Sequence, residues 1–82
     1  FPGGADALTT QELVVEMADD EGLLACFDEL LQAHRGQITE SSLTREDGVL
    51  RMEVTAKLDP PISHEEALAF LKANDGVRRI SV

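Results

Sequence analysis

Asp19-Asp20-Glu21-Gly22-Leu23-Leu24 is the stretch on which the fold turns. Before it, Leu13, Val15 and Met17 alternate with Val14, Glu16 and Ala18, the two-residue period of a strand with one wholly apolar face. After it, Leu23, Phe27, Leu30, Leu31 and His34 recur at helical spacing with Leu24 and Cys26 flanking, which predicts a helix from about Glu21 to His34. A change of period over so few residues predicts a strand that runs directly into a helix. The apolar face marks that strand as central in its sheet.

Downstream, Arg35-Gly36 ends the helix, and Gly36 is expected to supply the left-handed residue of its C-terminal cap. Gln37 to Thr44 keeps Ile38 and Leu43 but is otherwise mostly Thr, Glu and Ser, a polar strand suited to a sheet edge. Arg45-Glu46-Asp47-Gly48 carries the Asp-Gly pair of a tight hairpin. Beyond it Leu50, Met52, Val54, Ala56 and Leu58 share one face, and Val49, Arg51, Glu53, Thr55 and Lys57 the other, so one side is buried and the other wet. Asp59-Pro60-Pro61 stops the ladder because proline has no amide donor. Ser63 and Glu66 read as a capping box opening a helix with Ala67, Leu68, Phe70, Leu71 and Ala73. Asn74-Asp75-Gly76 ends that helix, and a last short strand sets Ile80 and Val82 inward.

Strong first and third strands with weaker second and fourth ones predict an α+β fold, a ferredoxin-like β-α-β-β-α-β sandwich. Its four-stranded antiparallel sheet has the order 4-1-3-2, with two helices on one face. Residues 1–10, with Pro2, Gly3, Gly4, Thr9 and Thr10, read as a linker or disordered lead-in, and residues 11–82 as the domain.

A chain of 82 residues accommodates one domain, and an apolar content of 43% supports a folded one. Seven basic and sixteen acidic residues give a net charge of −9. Residues 1–34 hold eight of the acids and no base, so the first strand and helix carry nearly all of the imbalance. That disfavours nucleic acid and anionic membranes, both of which need a basic face. Cys26 is the single cysteine, so no intrachain disulfide forms; this fits a reducing, cytoplasmic setting. No apolar run approaches the roughly 20 residues of a membrane span. Opening on Phe1-Pro2-Gly3-Gly4 rather than methionine, the chain is expected to be an excised piece of a longer protein, or a processed one.

The acidic junction admits two readings. Adjacent carboxylates are the hard oxygen ligands that magnesium and calcium prefer, whereas acids at a helix N-terminus are favoured by capping and the macrodipole alone. The second is the expectation, with no metal site. Gly22 also has two readings, one as a close approach for a ligand to free helix amides and one as close packing of helix on sheet. His34, His64 and Cys26 lack any standard zinc spacing and are read as structural: His34 at the helix dipole, His64 within the capping box, Cys26 as a small apolar residue. Ser41, Ser42, Ser63 and Ser81 have no glycine elbow, and no Ser, His and carboxylate set is spaced for nucleophilic catalysis. No catalytic residue and no cofactor is expected.

The first strand and junction resemble the ACT domain, a regulatory module whose hallmark is an acidic residue, two variable positions, then Gly-Leu-Leu opening the first helix. Asp19-Asp20-Glu21-Gly22-Leu23-Leu24 matches that pattern, and the likeness extends over residues 11 to 82 through His34-Arg35-Gly36, Asp47-Gly48 and Gly76-Val77. The resemblance implies a ligand cleft between protomers near Asp19 and Gly22. There an amino acid's ammonium would meet the carboxylates of Asp19 and Asp20 and its carboxylate the amides at Gly22 and Leu23. Gln37 stands where a helping asparagine is often found. The chain is also similar to the divergent ACT-like cytosolic domain of MgtC-type membrane proteins, linked to magnesium limitation, in its ending Gly76-Val77-x-x-Ile80-x-Val82. Both resemblances imply a non-catalytic regulatory domain. It would act by amino-acid binding or homodimerisation or, in the alternative, as the interaction domain of an MgtC-type protein without a ligand of its own.

Overall fold

The computed structural model describes residues 8–82. Strand β1 (Thr9–Ala18) leads into helix α1 (Glu21–Ala33), followed by β2 (Gln37–Glu46), β3 (Val49–Leu58), helix α2 (His64–Ala73) and β4 (Val77–Ser81). The strands are antiparallel in the order β2-β3-β1-β4, the predicted 4-1-3-2 read from the other edge. The expected lead-in over residues 1–10 falls mostly outside the described residues. Its last two members, Thr9 and Thr10, open β1 opposite Leu58 and Lys57.

One apolar face of the sheet carries the core. Leu13, Val15 and Met17 from β1 and Leu50, Val54, Ala56 and Leu58 from β3 are buried against Phe27 and Leu31 of α1 and Ala67 and Phe70 of α2. Both helices therefore lie on the same side, where the rings of Phe27 and Phe70 meet edge to face with centroids 6.0 Å apart. The Gln11 side chain fastens the loop between β3 and α2 to β1. Its Nε2 donates to the Ile62 carbonyl and its Oε1 accepts from the Ile62 amide, both at 2.9 Å.

Two bulges shift faces in ways that strict alternation does not predict. Val77 stands opposite Met17 and Ile80 opposite Val15, so both point inward although they are an odd number of residues apart. Val77 joins Ile80 and Val82 on the inner side as the most buried of the three. In β2, Ile38 pairs with Ala56 and Leu43 with Met52, across a register shift between Ile38 and Glu40. Because directly opposed residues share a face, Ile38 and Leu43 both lie on the helix side of the sheet.

The helix termini differ from expectation at three residues. Arg35, with φ 57°, takes the left-handed position after α1, not Gly36. The Gly36 amide donates to the Leu31 carbonyl at 2.8 Å and the Arg35 amide to Gln32 at 3.0 Å, the bond pair of a Schellman motif. Gly36 is needed instead for space, since a Cβ there would stand 2.8 Å from the Leu31 carbonyl oxygen and 3.0 Å from Leu58 Cδ2. At α2 half of the capping box forms, with Ser63 Oγ accepting from the Glu66 amide at 3.1 Å. The Glu66 carboxylate turns to His34 rather than back to Ser63. The β2–β3 turn is as predicted, Asp47 and Gly48 both having positive φ (52° and 76°) in a two-residue hairpin loop.

Candidate functional site

The β1–α1 junction is tied on three sides. The Ala18 amide donates to the Gly76 carbonyl at 2.8 Å, and the Asp19 amide to the Gly48 carbonyl at 3.0 Å. Asp19 Oδ1 accepts from Arg45 Nε at 3.1 Å across the hairpin. Asp20 is the N-cap, its extended backbone (φ −139°, ψ 122°) turning Oδ1 onto the Gly22 amide at 2.7 Å. Its carbonyl accepts from the amides of Leu23 and Leu24, each at 3.1 Å. The acids that the sequence places here are thus a cap and an ion pair, and the first-turn amides that a ligand's carboxylate would seek are engaged by Asp20.

Gly22 is exposed, and a Cβ on it would meet nothing of the sheet within 4 Å, only Asp20 Oδ1 at 3.2 Å. Close packing falls instead to Gly76, where a Cβ would lie 2.2 Å from Leu23 Cδ1. Leu23, half-buried, seats the first turn of α1 on the α2–β4 turn through that gap. Gln37 is remote from all of these. It opens β2 opposite Lys57, which pairs with Thr10, nine residues before Asp19 along β1. At the rise of an extended strand that is about 30 Å. Within one chain, Asp19, Asp20, Gly22 and Leu23 come together and Gln37 does not join them.

A groove of ≈ 350 Å³ runs between α1 and the β2 edge, with Leu24, Phe27, Leu31, Ile38, Met52 and Val54 among its walls and the carboxylates of Glu21 and Asp28 beside them. The helices leave β2 uncovered. Every residue of β2 is exposed, including Ile38 at 50% and Leu43 at 40% on the side that elsewhere forms the core. Its outer edge has no neighbouring strand among the described residues. On the helix-free face a smaller hollow of ≈ 250 Å³ lies over β1, β2 and β3, with Glu12, Glu40, Glu53 and Thr55 around it. Among the described residues no group of three or more His, Cys, Asp or Glu is placed to hold a metal ion, and no helix is long and apolar enough to cross a membrane.

His34 is the buried polar residue at 6% exposure, with Nδ1 2.5 Å from the Pro60 carbonyl and Nε2 2.6 Å from Glu66 Oε2. Its pKa is raised above the ordinary 6.5, chiefly by the hydrogen bond to Glu66 and also by Pro60 and the Glu66 charge, which together outweigh burial. Sequence reasoning placed His34 at a helix end but had no signal for a partner 32 residues away. His64 is exposed in the first turn of α2, and Cys26 is half-buried against the core.

No protein-family model matches the chain, and no curated protein sequence matches it significantly. Among solved structures, a formyltetrahydrofolate deformylase from Pseudomonas syringae pv. tomato superposes with a TM-score of 0.69 and 23% identity, covering 90% of this chain and 27% of that one. The corresponding enzyme from Pseudomonas putida gives 0.67 and 12%, with 90% and 29% covered. The ACT domain from GTP pyrophosphokinase of Chlorobium tepidum gives 0.62 and 12%, covering 90% of this chain and 96% of that domain. The chain has an ACT-like fold. It spans between a quarter and a third of the length of the deformylases, and nearly the whole of the separate ACT domain. In this ACT-like fold the capped junction sits at one end of the sheet and the open β2 edge runs alongside α1.

Proposed function

We propose that this ACT-like domain is a non-catalytic regulatory module of a longer protein and that it works by pairing with a second copy through β2. The observation that carries the reading is the pair of exposed apolar side chains, Ile38 and Leu43, on the helix side of an open ten-residue edge beside the α1 groove. An edge strand offers unpaired amides and carbonyls to another strand. A two-fold axis near Glu40 and Ser41, midway between Ile38 and Leu43, sets Ile38 of each copy beside Leu43 of the other. It continues the sheet to eight strands and draws both residues beneath the flanking α1 helices. Sedimentation of the 82-residue chain over a concentration series at two salt levels tests this: a reversible dimer is the expected result, and a strict monomer throughout opposes it.

Amino-acid sensing at the junction is the finer form of the same function. Asp19 and Asp20 would take the ammonium, with Gly22 and Leu23 contributed by the same chain and Gln37 by the second one. Binding there must displace Arg45 from Asp19 or the Asp20 side chain from the Gly22 amide. Amide shifts at Asp19 to Leu24 on titration with a panel of amino acids support it, and unchanged spectra oppose it. The deformylase neighbours, in which this fold is a minor part of an enzyme chain, support attachment to a larger protein. An MgtC-type parent is the alternative, and membrane-spanning helices preceding Phe1 in the full-length sequence would distinguish it from an enzyme.

A further inference from the structure

The inner contact between the two helices involves groups that the pairing surface does not use. His34 closes α1 with both ring nitrogens facing oxygen: Nδ1 the Pro60 carbonyl at 2.5 Å, Nε2 the Glu66 carboxylate at 2.6 Å. A carbonyl only accepts, so Nδ1 carries hydrogen. A neutral imidazole has one N–H, and with it spent on Pro60 the ring would turn the Nε2 lone pair toward an ionised carboxylate. The observed geometry therefore holds one proton more than a neutral ring and an ionised Glu66 supply. The Glu66 side chain is 40% exposed, so water stabilises its negative charge, and the extra proton belongs on the ring.

We propose that His34 and Glu66 form a proton-operated clasp joining the C-terminus of α1, the N-terminus of α2 and the loop after β3. With the proton in place, one imidazolium holds all three segments. When the proton leaves Nε2 for solvent, the ring keeps one N–H and satisfies either Pro60 or Glu66, and the other contact opens. Glu66 from α2 favours the imidazolium directly, and Asp59 from the loop is joined to the same helix end by its amide, which donates to the His34 carbonyl at 2.8 Å. Arg35, on the turn after α1, stands 4.0 Å from Asp59 with its side chain turned to solvent. The hydrogen bonds prevail over burial, in line with the raised pKa of His34.

Linkage gives the clasp a use. Above pH 6.5, any ligand or partner that draws the end of α1 away from α2 releases this proton, and raising the pH eases the same movement. The clasp lies inside one chain and does not depend on pairing. Long-range ¹H–¹⁵N spectra of the histidine rings, followed through a pH titration of the 82-residue chain, test it directly. Both His34 nitrogens are expected to stay protonated above pH 6.5, with amide shifts at 34–36, 59, 62 and 64–67 following the ring. Glu66→Gln lets the side-chain amide donate to the bare Nε2, so a neutral Nδ1–H ring keeps both contacts. In that variant the titration midpoint is expected to fall and the decline of melting temperature as pH rises past 6.5 to weaken. A wild-type His34 midpoint at or below 6.5, or an unchanged midpoint in Glu66→Gln, overturns the proposal. The wild-type titration decides even if the variant fails to fold.

Discussion

Arg35 and Gly36 exchange the roles that their chemistry first implies, and a pair of substitutions separates the two assignments. Arg35 holds φ at 57°, a conformation that costs a side-chain-bearing residue roughly 1–2 kcal/mol relative to the right-handed one. Replacing it with glycine removes that strain but adds freedom to the unfolded chain, an offset of roughly 0.5–1 kcal/mol. The ion pair lost with Asp59 is long, at 4.0 Å, and the Arg35 side chain is 80% exposed, so its contribution is slight. Arg35→Gly is therefore expected to stabilise the domain by about 0.5–1 kcal/mol. Gly36→Ala places a methyl group 2.8 Å from the Leu31 carbonyl oxygen, a backbone atom that already accepts the Gly36 amide. Neither can move without breaking the cap, so the expected loss is about 1–3 kcal/mol, the usual range for overpacking. For a domain of this size each kcal/mol shifts the melting temperature by about 4–8 °C. Thermal unfolding followed by circular dichroism should therefore show the two variants moving in opposite directions. A fall in Arg35→Gly together with an unchanged Gly36→Ala would refute the assignment of left-handedness to Arg35.

Other substitutions test further parts of the structure. Asp20→Ala removes the cap on Gly22 and should cost about 0.5–2 kcal/mol in chemical denaturation. Asp19→Ala, which loses an exposed pair with Arg45, should cost under about 1 kcal/mol; a larger loss in Asp19→Ala than in Asp20→Ala would contradict the division of labour between the two acids. Gln11→Leu leaves the amide and carbonyl of Ile62 without their partner and should destabilise by about 1–3 kcal/mol, with faster amide exchange at Ile62. The His34 contribution to stability should be complete below pH 6.5, the ordinary value, and decline as pH rises through the raised value of the folded state. Leu43→Lys should abolish pairing and leave the circular dichroism spectrum unchanged, because that side chain is outside the core.

The sheet was legible because β1 and β3 alternate over most of their length and the hairpin between β2 and β3 carries Asp47-Gly48 in its preferred place. Thr39 and Arg78, at the two bulges, look like ordinary strand residues; nothing local marks the register shifts that turn Ile38 and Val77 toward the helices. The glycines misled for a related reason. Local chemistry favours Gly36 as the left-handed residue and leaves Gly22 between ligand approach and close packing, but long-range contacts with Leu58 and Leu23 gave the packing role to Gly36 and Gly76. The acidic junction was correctly located, and its capping role followed from helix chemistry. Its distance from Gln37 is a property of the topology, and so is the meeting of His34 with Glu66.

The central claim, that two copies join along β2, is tested most directly by isotope-filtered NMR on a mixture of ¹³C-labelled and unlabelled chains. Intermolecular contacts between the Ile38 methyl groups of one copy and Leu43 of the other are predicted, together with slowed exchange of the outward amides of β2. Intermolecular contacts confined to α2 or to the helix-free face of the sheet, or none at millimolar concentration, would contradict it.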